Sequence, residues 1–350
     1  MRIRIGRMLL LGVVCAVSAC AEETRPELLF LSKDDAAKAI VDDKSEPYFD
    51  TLEPVEMASK TSAPITGATL AEQRAVCRGR YAKAALEFTA DDQALLRWAV
   101  EKIHPLVATD YPLYAKQPWT FLKISSSIEG GFPFTRGDCI IVPDGLLAKF
   151  AKFKAKSEDR TLAMLGSVLV HEQFHVFQRH HPDLVAKLYS ELWGFKHVEK
   201  IESCEWLQAR HLANPDGLDC RWVFPITENG TTRYIWPLVI FAETDTPQYM
   251  GPDFRMVALD LTETGKDAYK VQVNDDKIPK YADLMRVDAY KGKFSFWGEI
   301  FHPHEISAEF FSSIVLVDKL APKGMIKPEK AEAMEKQIGP VRVWLREHCK

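Results

Sequence analysis

The stretch from residue 161 to residue 180, TLAMLGSVLVHEQFHVFQRH, constrains this 350-residue chain more than any other. It is the most apolar helical pattern in the sequence, and Pro182 stops it. In its middle stand His171, Glu172 and His175, among Val168, Leu169, Val170, Phe174, Val176 and Phe177. Ionisable groups in so apolar a helix are costly to bury unless something pairs them. A fold that buries this helix must therefore also supply a partner for its polar centre. Histidines at i and i+4 lie one above the other on a helix face. Both imidazoles can then reach a single metal ion at about 2.0–2.1 Å. Imidazole and carboxylate donors suit Zn²⁺, one per chain, and Glu172 stands where a carboxylate takes a proton from water activated by such an ion.

The run His171-Glu172-Gln173-Phe174-His175 resembles the HExxH zinc metallopeptidases, the zincins. The resemblance implies a third protein ligand, an open coordination position and a peptide or protein substrate. It also implies peptide-bond hydrolysis in which Glu172 is the catalytic base and hands its proton to the leaving amine. Two third ligands compete. His181 lies six residues after His175, where the metzincins place a histidine, but Gln178 stands in for the glycine of their turn. Continued as helix, six residues advance about 600°, onto another face. Tyr249-Met250-Gly251 is a poor match to the metzincin methionine turn. The segment His302-Pro303-His304-Glu305-Ile306-Ser307-Ala308-Glu309 instead resembles the second motif of the gluzincins. There Glu305 would bind the metal with His171 and His175. Glu309, in a place where the family more often has Asp, would accept the second N–H of a ligand histidine. Phe310, Phe311, Ile314 and Val315 make that helix apolar, and Glu305 is the expected third ligand. His302 is the expected catalytic electrophile steadying the oxyanion, with Tyr234, Tyr269 and Tyr281 as alternatives. By analogy with the zincin fold, residues 138–142 (DCIIV) are placed to be the edge strand along which an extended substrate pairs.

The N-terminus carries an address. Arg2, Arg4 and Arg7 precede an apolar run from Met8 to Ala19, the pattern of a secretory signal peptide over residues 1–19. The run is shorter than the roughly 20 residues that span a bilayer. Val17-Ser18-Ala19-Cys20 resembles the lipobox of bacterial lipoproteins, which implies a lipidated Cys20 and a membrane anchor through N-terminal lipid. Ala21, where an inner-membrane retention signal would place Asp, points to the periplasmic face of the outer membrane. The formal charge is −4, and losing three of the 45 basic residues with the signal leaves 42 against 49 acidic ones. With no basic stripe, nucleic acid is not an expected partner. In an oxidising envelope the five remaining cysteines, Cys77, Cys139, Cys204, Cys220 and Cys349, form at most two bridges.

A chain that is 47% hydrophobic with 19 Phe builds a core and is not disordered throughout. Residues 20–68 read as a lipidated N-terminus and tether, or as an irregular packed segment. Residues 69–350 read as a zincin-like domain containing a β-rich insert over 221–300. Periodicity predicts helices over 70–88, 91–103 (stopped by Pro105), 161–180, 183–193, 302–320 and 328–338 (broken at Gly339-Pro340). Strands are expected at 119–124, 139–142, 254–261 and 269–273, with a hairpin around Glu228-Asn229-Gly230. The class is α+β, mainly helical with a small sheet, the metal helix lying at a cleft. The function expected from all this is a zinc peptidase of the bacterial cell envelope. The rival is a non-catalytic lipoprotein of the same fold that binds envelope proteins or peptides. A hydrolase of another envelope amide is a third.

Overall fold

The structure is a computed structural model that describes residues 26–44, 46–217, 219–244, 250–251, 253–294 and 300–350. The signal segment, Cys20 and Tyr249 lie outside the described residues. The architecture mixes helices with two separate sheets, compatible with α+β.

The first sheet contains β1 (Leu28–Phe30), β2 (Ala85–Leu86), β3 (Trp119–Ile124), β4 (Phe134–Arg136) and β5 (Cys139–Pro143). Its order is β1-β3-β5-β4, with β2 also pairing β3. β1 and β5 run parallel to β3, while β4 runs antiparallel to β5. The strand expected at the edge, β5, is therefore internal, and the edge is β4. The tight turn at Gly137 folds β4 back along β5 and takes that place.

The helices before the second sheet are α1 (Lys33–Ala39), α2 (Pro54–Lys60), α3 (Leu70–Ala84), α4 (Ala90–Ala108), α5 (Pro112–Ala115), α6 (Asp144–Lys154), α7 (Glu158–His180) and α8 (Pro182–Glu191), and a short α9 (Glu205–Gln208) lies between that sheet's strands in the chain. Capping boxes start α3 at Thr69 with Glu72 and α4 at Thr89 with Asp92. Pro105 lies inside α4 and does not end it. Proline removes the hydrogen bond to the carbonyl four residues back. That residue, Glu101, is exposed to water, while Ile103 and Val107 on the opposite side are buried.

The second sheet has seven strands: β6 (Lys196–His197), β7 (Lys200–Glu202), β8 (Trp222–Glu228), β9 (Thr231–Phe241), β10 (Phe254–Gly265), β11 (Ala268–Val271) and β12 (Tyr281–Asp283). Asn229 and Gly230, both at positive φ, close the β8–β9 hairpin as a two-residue turn. Three helices complete the chain: α10 (Asp288–Phe294), α11 (Pro303–Val315) and α12 (Pro328–His348). Contrary to the predicted break, α12 runs through Gly339-Pro340. The carbonyl that Pro340 leaves unbonded belongs to exposed Lys336, and buried Ile338 and Val341 hold both flanks.

The main core lies among α4, α7, α11, α12 and the first sheet. Phe174 of α7 packs on Phe311 of α11 at 4.8 Å, and Tyr114, 4.7 Å from Phe311, closes a three-ring cluster that fixes α7 against α11. A second core joins Ala36, Ile40, Tyr48, Phe49, Leu52 and Met57 of the N-terminal segment to Leu122, Ile124 and Ile141 of the first sheet. Residues 26–44 and 46–60 thus pack as part of the body.

Candidate metal centre

The polar middle of α7 finds its partner on α11. The i, i+4 spacing brings His171 Nε2 and His175 Nε2 to 3.1 Å from each other. Glu305, in the first turn of α11, sets its Oε2 3.3 Å from the first nitrogen and 3.4 Å from the second. Three donors bound tetrahedrally to one ion at about 2.0–2.1 Å would stand about 3.3–3.4 Å apart. The triangle formed by the three side chains has those dimensions.

Protonation argues the same way. His171 Nδ1 faces Glu309 Oε2 at 3.2 Å, and a carboxylate there accepts, so Nδ1 carries the proton. His175 Nδ1 faces Gln178 Oε1 at 2.8 Å. The amide orientation of Gln178 is set from its other side, because its Nε2 donates to the His304 carbonyl and to Ser307 Oγ, both at 2.8 Å. Both neutral rings therefore turn bare Nε2 lone pairs toward each other and toward a carboxylate. Such a convergence needs a cation, either added protons or a metal ion. Without metal, protons fill that role. Burial opposes a charged His171, yet its bonds to Glu305 and Glu309 hold its pKa well above the usual histidine range. Burial likewise opposes a charged His175, and the field of Glu305 lifts it. Burial alone would raise Glu305, but the two rings hold it well below the ordinary carboxylate range. This His/Glu group can hold a metal ion.

No protein-family model matches the chain, and no curated protein and no solved structure was found to be similar to it.

Around the three donors the structure adds residues that spacing alone did not reveal. Asn214 Nδ2 donates to Glu305 Oε1 at 2.5 Å, fixing the oxygen that faces away from the histidines. Glu172 is buried and receives Thr135 Oγ1 on its Oε2 at 2.9 Å. Burial pushes its pKa up, with the neighbouring histidines pulling the other way. Asp216 brings a third carboxylate: its ligating atom lies within 4.8 Å of those of Glu172 and His175. Burial pushes Asp216 up to about 7. A signal for Gln178 was present, since a polar residue three positions after His175 shares its helix face. Thr135, Asn214 and Asp216 arrive from a short strand and a loop with nothing in their local sequence to announce the meeting.

The expected electrophile and the alternatives weighed beside it and beside Glu305 are placed in other roles. His302, expected as the catalytic electrophile, is instead the N-cap of α11. Its Nδ1 accepts from the His304 N–H at 3.2 Å and its Nε2 donates to the Asp219 carbonyl at 3.0 Å. Burial holds it down at about 4, so it stays neutral with both nitrogens engaged by backbone. His181 packs over the Phe177 ring and pairs with Gln117, while Glu305 completes the triangle. Tyr234 and Tyr269 lean on one another in the second sheet, and Tyr281 stacks on Trp206.

Proposed function

We propose that this chain is a zinc-dependent peptidase with a zincin-like, gluzincin-type centre. The observation carrying this reading is the triangle of two histidine nitrogens and one carboxylate oxygen, 3.1–3.4 Å on each side, with Glu172 next to the first ligand in sequence. His171, His175 and Glu305 would hold the ion, with Glu309 and Gln178 orienting the two rings. When bound, zinc supplies Lewis acidity, polarising a carbonyl and making water easier to deprotonate. Glu172 then removes the proton from the attacking water and passes it to the leaving amine. Its raised pKa suits both halves of that task, since it sits closer to neutrality than an exposed glutamate. Thr135, bonded to one carboxylate oxygen, keeps Glu172 in one rotamer while the proton moves. The leader with Cys20 supports export and lipid anchoring to the bacterial envelope, which makes envelope peptides or proteins the proposed substrates.

Substituting Glu172→Gln keeps the shape and removes the base. The expected result is an unchanged zinc content near one per chain, with peptide hydrolysis reduced by about 10²–10⁴-fold. Metal analysis and turnover of a casein digest by the same preparations check it. Equal turnover in the two proteins refutes the role of Glu172.

A further inference from the structure

We propose that residues 213–217 form a strap that closes the metal centre against substrate, with Asp216 as its clasp. The proposal rests on the metal-centre reading above and assigns that centre a regulation.

The strap is firmly tied at one end. Ala213 gives its N–H to Glu56 Oε1 at 2.6 Å and its carbonyl receives Lys60 Nζ at 3.0 Å. Both partners lie on α2, and Lys60 is 0% exposed. From there the segment crosses the face of the centre. Asn214 reaches Glu305, and the Pro215 carbonyl accepts from Arg179 Nη2 at 3.1 Å. Gly217 settles so close to α11 that a Cβ on it would stand 2.5 Å from His304 Nδ1. Only glycine fits there, so the segment lies tight against the motif that carries the third ligand.

What it covers is the surface a polypeptide substrate would use. β4 is the sheet edge beside α7, and an extended peptide joining it would need the outward N–H and carbonyl of Thr135. Both are taken. The N–H donates to Asp216 Oδ1 at 2.5 Å, and the carbonyl receives Arg179 Nη2 at 3.3 Å. The same Asp216 carboxylate lies within 4.8 Å of Glu172 and His175, so it also fills the space beside the proposed base. His175 is 0% exposed and Glu172 4%. The two ends of the strap differ in strength. Ala213 is held by a buried ion cluster, whereas Asp216 sets one carboxylate beside another and is only partly buried. Opening therefore begins at Asp216 and pivots on Ala213.

The test loads the full chain with Co²⁺ and titrates acetohydroxamate, following the visible spectrum of the ion. Asp216→Ala should bind the probe at least tenfold more tightly than wild type at the same metal content. On the loaded wild-type protein, saturating acetohydroxamate should speed amide hydrogen exchange at Thr135 and at residues 214 and 216 by tenfold or more, which needs no variant to fold. Equal affinity in the two loaded proteins, or a saturated wild type with Thr135 still fully protected, overturns the strap and leaves the metal reading standing. Failure of both proteins to take up Co²⁺ or Zn²⁺ removes the metal reading, and the strap falls with it.

Discussion

At the scale of single residues, the centre depends on which atom of each side chain is already engaged. Gln178 is the clearest case, because its Oε1 fixes the tautomer of His175 while its Nε2 is anchored on His304 and Ser307. Gln178→Leu should keep the helix and weaken zinc binding by about 10–100-fold, measured by competition with a chelator. The raised pKa values of His171 and His175 set a pH dependence whose sign is fixed. In metal-free protein the charged rings stabilise the fold fully below the ordinary histidine pKa, and that contribution is lost as pH rises through the raised values. Zinc must displace the same protons, so its affinity grows with pH. The gap in Tm between zinc-loaded and chelator-treated protein should therefore widen from about pH 6 to about pH 8, as scanning fluorimetry would show. The histidine pair and Glu305 with Glu309, which the structure brings together, could be singled out in the sequence because each pair sits four apart on one helix. His302 misled for a physical reason: histidine before proline at a helix start also caps the helix, and here the cap takes Nδ1 while the Asp219 carbonyl takes Nε2.

At the scale of elements, burial decided where local signals conflicted. The apolar run of α7 announced the helix, and Pro105 and Pro340 announced ends that packing overrode. Each proline puts its unbonded carbonyl on an exposed turn, while apolar neighbours on the opposite face keep the helix docked. The longer strands of the two sheets were readable, but not the short ones or the topology, since nothing in Phe134–Arg136 says that it, not Cys139–Pro143, takes the edge. The α7–α11 contact carries the geometry of the centre. Phe174→Ala should cost about 3–5 kcal/mol in denaturant unfolding, because a buried ring packed in one cluster with Tyr114 and Phe311 leaves a cavity. On the metal reading its zinc affinity should fall as well, since this ring cluster also sets the distance between α7 and α11.

Across the whole molecule, the N-terminal segment is an integral part of the body. Lys60 is wholly buried, contacts both Glu129 oxygens at 3.0 and 3.2 Å, and accompanies two tyrosines, Tyr48 and Tyr81, that donate to Glu129. Lys60→Met leaves buried carboxylates without their cation and should destabilise the protein by about 3–5 kcal/mol in urea unfolding. Composition could not show this cluster, because Lys60, Glu56 and Glu129 read along the chain as ordinary surface charges.

His171 and Glu305 stand 134 residues apart in the chain, and the whole second sheet lies between them. On the proposed envelope reading, a chain exported unfolded would arrive with its donors scattered. Binding of an ion by these donors would have to wait until that intervening unit has assembled and brought its two ends together. An ion held by His171, His175 and Glu305 would then work as a rivet on a finished frame: it would close a very long loop and make unfolding of the middle and release of metal one event.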